Sequence, residues 1–336
     1  MSNKKNYILY LAIVLTLFLT SYPIDSATID GRFYPILNDY AIPSKSIDNL
    51  IGHFDHKINI VFSDIDGTLL PLNKTGPRGQ APESVKKGVQ KLQKAQIPLI
   101  LATGRASSEA RQIAKNMGNE KTYIIAQQGA EIIDPTGKVI YEDNINNKES
   151  KKIIKEIESF NKLHNQDSKI FFFEKGQIYM FEKFDLPYIL DEIKVLKSLD
   201  ELPADFTLNK IGIYDPNPEK LKLIQTHLKK QFHNYHIDIS ADVYCDISTA
   251  TSTKGNAVKK LAEILNVNLK NAAVLGDAEN DISMLKLVKT HKGLAIAVGN
   301  AMNSVKNSAN FITSPVQEDG FAHAVDKILE NNALIH

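Results

Sequence analysis

From Lys57 onward the sequence alternates short apolar runs with amphipathic stretches, and that rhythm leaves few architectures open. Ile58 to Phe62 reads as a buried strand. Pro82 opens a helix with Val85, Val89 and Leu92 on one face, and Ile97 to Ala102 follows as the next strand. Ser107 to Met117 is a second helix and Tyr123 to Ala126 a third strand. A β-α-β-α-β run predicts an α/β fold, a doubly wound, Rossmann-like parallel sheet covered by helices.

The rhythm breaks after about Tyr141. A helix from Lys148 to His164 leads into Ile170 to Phe173 and Ile178 to Phe181, two strands of a hairpin around Glu174-Lys175-Gly176-Gln177. Helices over Pro187 to Leu199 and Pro218 to Phe232 alternate with an apolar stretch from Phe206 to Tyr214. The strand pair His236 to Ser240 and Val243 to Ile247 comes last. This reads as an inserted α+β unit with an antiparallel sheet. Phe171, Phe172 and Phe173 suit a substrate lid, but most of them are expected to pack on that sheet's own helices. The parallel rhythm returns with a helix at 254–265, strands at 272–275, 294–298 and 311–313, and a last helix from Gly320. The core therefore spans residues 57–141 and 249–336, and the inserted unit 142–248.

The 336 residues leave room for about two domains of roughly 100 to 200 residues each. Lys plus Arg number 40 against 39 for Asp plus Glu, so charge draws the chain to neither nucleic acid nor an anionic membrane. A single cysteine, Cys245, excludes an intrachain disulfide and a Cys-rich zinc site, and reads as a small buried hydrophobe. Lys4 and Lys5 precede an apolar run from Tyr7 to Phe18, then Thr20, Ser21, Tyr22 and Pro23. A spanning helix needs about 20 apolar residues, so residues 1–26 read as a secretory signal peptide, with an uncleaved anchor as the alternative. Export to the outside or to an endomembrane compartment is then expected, with no stable membrane span after cleavage. Residues 27–56 form an extended lead-in of no assigned function, and Asn73-Lys74-Thr75 is a glycosylation sequon.

Ile58 to Phe62 runs straight into Ser63-Asp64-Ile65-Asp66-Gly67-Thr68. Residues two apart on a strand point to the same side, so Asp64 and Asp66 are expected to leave the strand as a pair, with Gly67 permitting a sharp exit. Ligands of such sheets bind at that end. The strand from Ala272 likewise ends in Gly276-Asp277-Ala278-Glu279-Asn280-Asp281 at the start of a helix. Asp277 and Asp281, four apart, are expected on one helical face. Carboxylates converging on one crest oppose folding unless a cation sits among them. Oxygen donors without His or Cys suit Mg²⁺, and Asp64, Asp66, Asp277 and Asp281 are its expected ligands. Thr103-Gly104-Arg105 precedes a helix, where a hydroxyl and backbone N–H groups suit an anion. Arg105 is read either as a substrate grip or as half of a salt bridge. Lys254 begins another helix, and its ammonium suits both the carboxylates and a phosphoryl group. The histidines, His53 and His56 included, form no ligand-spaced set.

Together and in order, these elements resemble the haloacid dehalogenase superfamily phosphatases, in particular the Cof-type branch (class IIB) with a large C2-type cap inserted after the second motif. Asp64-x-Asp66-Gly67-Thr68 matches the first motif, Thr103 the second, Lys254 the third and Gly276-Asp277-x-x-Asn280-Asp281 the fourth. Gly299-Asn300-Ala301 and Glu318-Asp319-Gly320 add to the likeness, which runs from about residue 57 to 331. Only 39 residues separate Asp64 from Thr103, whereas 151 separate Thr103 from Lys254, so any cap lies in the longer interval. One departure stands out: the family usually has Asn-Gly-Ala where this chain has Gln128-Gly129-Ala130.

The resemblance implies that Asp64 attacks phosphorus and forms an aspartyl phosphate. Asp66 protonates the leaving oxygen and then activates water, and its backbone carbonyl helps Asp64 and Asp277 hold Mg²⁺. Thr103, Gly104, Arg105, Lys254 and Asn280 form the implied substrate-binding set, with Thr103 and Lys254 also counted as catalytic, and Asp281 completing or orienting the site. The expected function is a Mg²⁺-dependent phosphatase of small phosphorylated metabolites, sugar phosphates foremost. A phosphomutase and a non-catalytic binding protein of the same fold are the alternatives.

Overall fold

The computed structural model describes residues 26–29, 32–35, 45–72, 80–185, 193–240 and 243–335. The signal segment before Ser26 and the Asn73 sequon lie outside the described residues. Residues 1–43 form one compact unit and 44–336 another. In the first, β1 (Ser26–Ile29) and β2 (Arg32–Pro35) pair as an antiparallel hairpin with Ile29 opposite Arg32.

The second unit begins with β3 (Lys45–Ser46) and a single 3₁₀ turn at Ile47–Asn49, in which the Ser46 hydroxyl accepts from the Asp48 N–H. From Lys45 the extended lead-in takes part in the second unit's fold, because β3 pairs with the far edge of the main sheet and Ile47 and Leu50 are buried in its core. A two-residue strand and one turn carry no periodicity to read. There follow β4 (Ile60–Ser63), α1 (Glu83–Lys94), β5 (Leu99–Ala102), α2 (Ser107–Asn116) and β6 (Ile124–Ala126). Gln127, Gln128 and Gly129 then take φ of 51°, 62° and 102°. This left-handed run reverses the chain, so β7 (Glu131–Ile133) and β8 (Val139–Glu142) return antiparallel and give the parallel sheet an edge that the sequence rhythm did not announce.

The insertion comprises β9 (Ile145–Asn146), α3 (Asn147–His164), β10 (Lys169–Glu174), β11 (Gln177–Met180), β12 (Ile193–Val195), β13 (Thr207–Leu208), β14 (Lys210–Tyr214), α4 (Pro218–Gln231), β15 (Tyr235–Ser240) and β16 (Tyr244–Thr249). Its sheet runs β12-β11-β10-β14-β16-β15, antiparallel except for β11 with β12. A helix over 187–199 is not what forms in the described part of that stretch. Ile193-Lys194-Val195 has period two, pairs with the free edge of β11, and is followed by a 3₁₀ turn at Leu199–Glu201. Alternation also divides the three phenylalanines. Phe172 packs towards the helices, while Phe171 and Phe173 cover the opposite face together with Ala106 from the main domain. Only one of the three thus packs on the sheet's own helices.

The chain returns through α5 (Lys254–Ile264), β17 (Ala272–Gly276), α6 (Ile282–Thr290), β18 (Leu294–Ala297), α7 (Asn303–Ser308), β19 (Phe311–Ile312) and α8 (Gly320–Ala333). The main sheet orders as β3-β19-β18-β17-β4-β5-β6-β7-β8. Its central strands are buried on both faces, as parallel strands under helices must be. Val61, Leu99 and Leu275 meet α1 and α8 on one side; Phe62, Ile100 and Val274 meet α5 and α6 on the other. The carboxyl ends of the neighbours β17, β4 and β5 therefore open side by side, at the point where successive crossovers leave in opposite directions.

Candidate active site

Asp64 follows β4, Thr103 follows β5, Asp277 follows β17, and Lys254 is the first residue of α5. Fold geometry thus brings together four stretches that are far apart in sequence. Lys254 is 1 % exposed, and its Nζ donates to Asp64 Oδ1 at 2.6 Å and Asp281 Oδ1 at 2.7 Å. One carboxylate oxygen from each of the buried Asp64, Asp277 and Asp281 lies within 4.8 Å of the others.

Asp277 and Asp281 do not share a helical face. Asp277 follows the strand, and the chain turns so tightly that Asp281 Oδ2 accepts from the backbone N–H groups of Asp277 and Ala278 at 2.9 and 3.0 Å. The turn, rather than helical spacing, brings the two carboxylates together. Thr68, whose role the sequence left unread, donates to Asp277 Oδ1 at 3.0 Å. Gly67 is needed twice over: its φ is +85°, and a Cβ there would run into the Asp277 carboxylate. Asn300 ties that turn down, donating to the Gly67 carbonyl at 2.9 Å and accepting from the Val316 N–H at 2.8 Å.

Asp66 parts company with Asp64. Its carboxylate is taken by Arg105 on both oxygens, Nε to Oδ2 and Nη2 to Oδ1 at 2.7 Å each, and lies outside the buried trio. The exit at Gly67 turns the chain before strand alternation carries to Asp66. Arg105 is thus a salt-bridge residue here, with Glu109 a further 3.5 Å away. The Asp66 carbonyl accepts no hydrogen bond among the described residues.

Burial opposes the charge on Lys254, yet Asp281 and Asp64 outweigh it and hold the ammonium above its usual pKa. Burial likewise opposes the guanidinium of Arg105, and Asp66 and Glu109 raise it all the same. Burial pushes Asp64 well up, with Asp281, Asp277 and Asp66 adding to it against the pull of Lys254. Burial and Asp281 together lift Asp277 to about 6. Ionised together, the three carboxylates would outnumber the one ammonium by two charges, and a further cation would relieve that excess. Hard oxygen donors of this kind fit a divalent cation of the magnesium or calcium type.

The other side groups of the site are donors. Thr103 is 1 % exposed; its Oγ1 accepts from the Arg105 N–H at 3.1 Å, which leaves the hydroxyl hydrogen to give. Its own N–H is spent on the Ile125 carbonyl and is not open to a ligand. Among the described residues, the backbone N–H groups of Ile65, Asp66 and Gly104 donate to no protein acceptor. Asn280 stands at the rim, and its Nδ2 donates to Gln128 Oε1 at 2.8 Å. The face of the inserted sheet bearing Phe171 and Phe173 also carries Lys210, with Nζ 3.2 Å from Asp246 and 4.7 Å from the Phe173 ring centre.

A paired-carboxylate pocket of this layout meets its counterpart among known proteins. Residues 61–325 match the family model for haloacid dehalogenase-like hydrolases, and the chain belongs to that family. Within it the chain is a Cof-type phosphatase. It is 27 % identical over 296 residues to the phosphatase YwpJ of Bacillus subtilis, covering 81 % of this chain and all of that one. It is 29 % identical over 262 residues to a phosphoglycolate phosphatase of Archaeoglobus fulgidus, covering 78 % and 93 %. Among solved structures, a haloacid dehalogenase-like hydrolase from Bacteroides thetaiotaomicron has the same fold, with a TM-score of 0.67, 22 % identity, and 81 % and 100 % of the two chains covered. A subclass IIB sugar phosphatase does so too, with a TM-score of 0.66, 20 % identity, and 81 % and 99 % covered.

Proposed function

We propose that the protein is a Mg²⁺-dependent phosphatase that hydrolyses small phosphomonoesters through an aspartyl phosphate on Asp64. The observation that carries this reading is the buried Asp64–Lys254–Asp281 arrangement beside Asp277, which holds a carboxylate next to an ammonium at the mouth of a row of open N–H donors. Asp64, Asp277 and the Asp66 carbonyl would hold the ion, with Asp281 fixing Asp277 from behind. Bound there, Mg²⁺ supplies positive charge that lowers the repulsion between an anionic nucleophile and an anionic ester.

Lys254 occupies Asp64 Oδ1 and so fixes the carboxylate, leaving Oδ2 to attack phosphorus. The bond to the leaving oxygen breaks as the acyl phosphate forms, and Asp66 gives that oxygen its proton. A carboxylate clasped on both oxygens by Arg105 has none to present, so that pair opens before Asp66 acts. Asp66 then takes a proton from water, water attacks phosphorus, and phosphate leaves as the Asp64 carboxylate is restored. Thr103, Gly104 and Lys254 hold the phosphoryl oxygens.

The inserted unit 142–248 acts as the cap that meets the leaving group, with core residues on either side of it in sequence. Sugar phosphates are the favoured substrate class, supported by the resemblance to a neighbour named as a sugar phosphatase. Phosphate release from an aryl phosphate is the test. Wild type with Mg²⁺ turns over, chelator stops it, and Asp64→Asn loses turnover entirely; near-normal release by Asp64→Asn contradicts the reading. Export is proposed on the basic and apolar residues between Lys4 and Phe18. Secreted protein lacking about 26 residues by intact mass agrees with it, and full-length protein retained in the cytosol contradicts it.

A further inference from the structure

We propose that the carboxamide of Gln128 is a further substrate-binding group, its Nε2 donating to a phosphoryl oxygen held on the Thr103–Gly104 loop; this rests on the phosphatase reading above. Gln128 adopts φ 62°, ψ 18° between two other positive-φ residues, a conformation that glycine takes at less cost. The backbone already ties the turn to the site, with the Gln128 N–H donating to the Thr103 carbonyl at 3.0 Å and the Gln127 N–H to the Arg105 carbonyl at 2.9 Å.

The side chain goes further. Its Oε1 accepts from Asn280 Nδ2 at 2.8 Å, which turns Nε2 to the other side. Nε2 is left over Gly104, so close that a Cβ on Gly104 would sit 2.6 Å from it. Among the described residues Nε2 donates to nothing, and neither does the Gly104 N–H beside it. The Thr103 hydroxyl belongs to the same loop, so uncharged donors stand on and over Thr103–Gly104, a set suited to an oxyanion. The amide therefore braces the fourth motif with one end and offers a hydrogen bond with the other.

Gln128→Glu separates the two tasks. It keeps length, volume, backbone strain and an acceptor for Asn280, but turns a carboxylate oxygen towards the anion. Inhibition by inorganic phosphate and KM for an aryl phosphate are measured in wild type, Gln128→Glu and Gln128→Gly, each with its melting temperature. A charged acceptor facing a phosphoryl oxygen should weaken phosphate inhibition and raise KM by about tenfold or more, corresponding to one lost charge-assisted hydrogen bond. Gln128→Gly relieves the left-handed backbone and should stay folded while losing phosphate affinity. The assignment is overturned if both variants hold phosphate within about twofold of an active wild type, since the side chain is then a brace alone. A wild type that neither hydrolyses the ester nor is inhibited by phosphate overturns the phosphatase reading itself, and this assignment with it.

Discussion

Lys254 shows how much one residue sets in this site. It has no exposed side-chain surface and touches two carboxylates from different strand ends, so its removal leaves buried negative charge with nothing to answer it. Lys254→Met should cost about 3–5 kcal/mol of stability, whereas Asp64→Asn, which removes a charge that burial already disfavours, should cost far less. Denaturant titration of the two variants in chelator measures the difference, and equal losses contradict the charge argument. His236 offers a residue-scale test of electrostatics away from the site. Its hydrogen bond to Asp238 raises its pKa and lowers that of Asp238. The imidazolium then stabilises fully below its ordinary value of 6.5, and that gain disappears as pH rises through the folded pKa; the Asp238 gain is present above 3.8 and is lost as pH falls through its folded pKa. With His236 and Asp238 each about half exposed, the effect is modest. NMR titration should place His236 above 6.5 and Asp238→Asn should bring it down; no change on substitution contradicts the pairing.

The long apolar runs of β4, β5 and β17 were legible in the sequence because a strand buried on both faces has almost no polar residue to interrupt it. Where signals were short, legibility failed. Ile193-Lys194-Val195 is too brief to outweigh the helical look of its flanks, and Lys45-Ser46 has no pattern at all. The antiparallel edge of β7 and β8 depends on a left-handed turn at two glutamines, residues that give no local warning of positive φ. The identity of the site residues was readable from order and spacing, but their hydrogen bonds were not. Asp277 and Asp281 meet through a turn, and Asp66 swings to Arg105, because side-chain partners depend on loops whose path sequence periodicity does not describe. One consequence belongs to the elements themselves. Ile47 and Leu50 pack into the main core although they lie in the lead-in, so Ile47→Ala or Leu50→Ala should each cost about 2–5 kcal/mol. A denaturant midpoint unchanged in both variants contradicts their place in the core.

At the scale of the molecule, a parallel sheet gathers acidic loops at one end, and an inserted sheet presents an aromatic face alongside Ala106, one residue after Arg105. Among the described residues no helix is long and apolar enough to cross a membrane. On the proposed reading, the chemistry falls to the strand ends of the main sheet and recognition of the leaving group to the insertion. The proposed mechanism depends on Asp64 becoming covalently bound to phosphorus. Rapid acid quenching of enzyme mixed with Mg²⁺ and phosphomonoester, followed by peptide mass spectrometry, reads this directly. The peptide containing Asp64 should carry one phosphoryl group that is absent without substrate and absent in Asp64→Asn. Phosphate release at full rate with the label on another residue, or with no labelled peptide under conditions that preserve acyl phosphates, contradicts it.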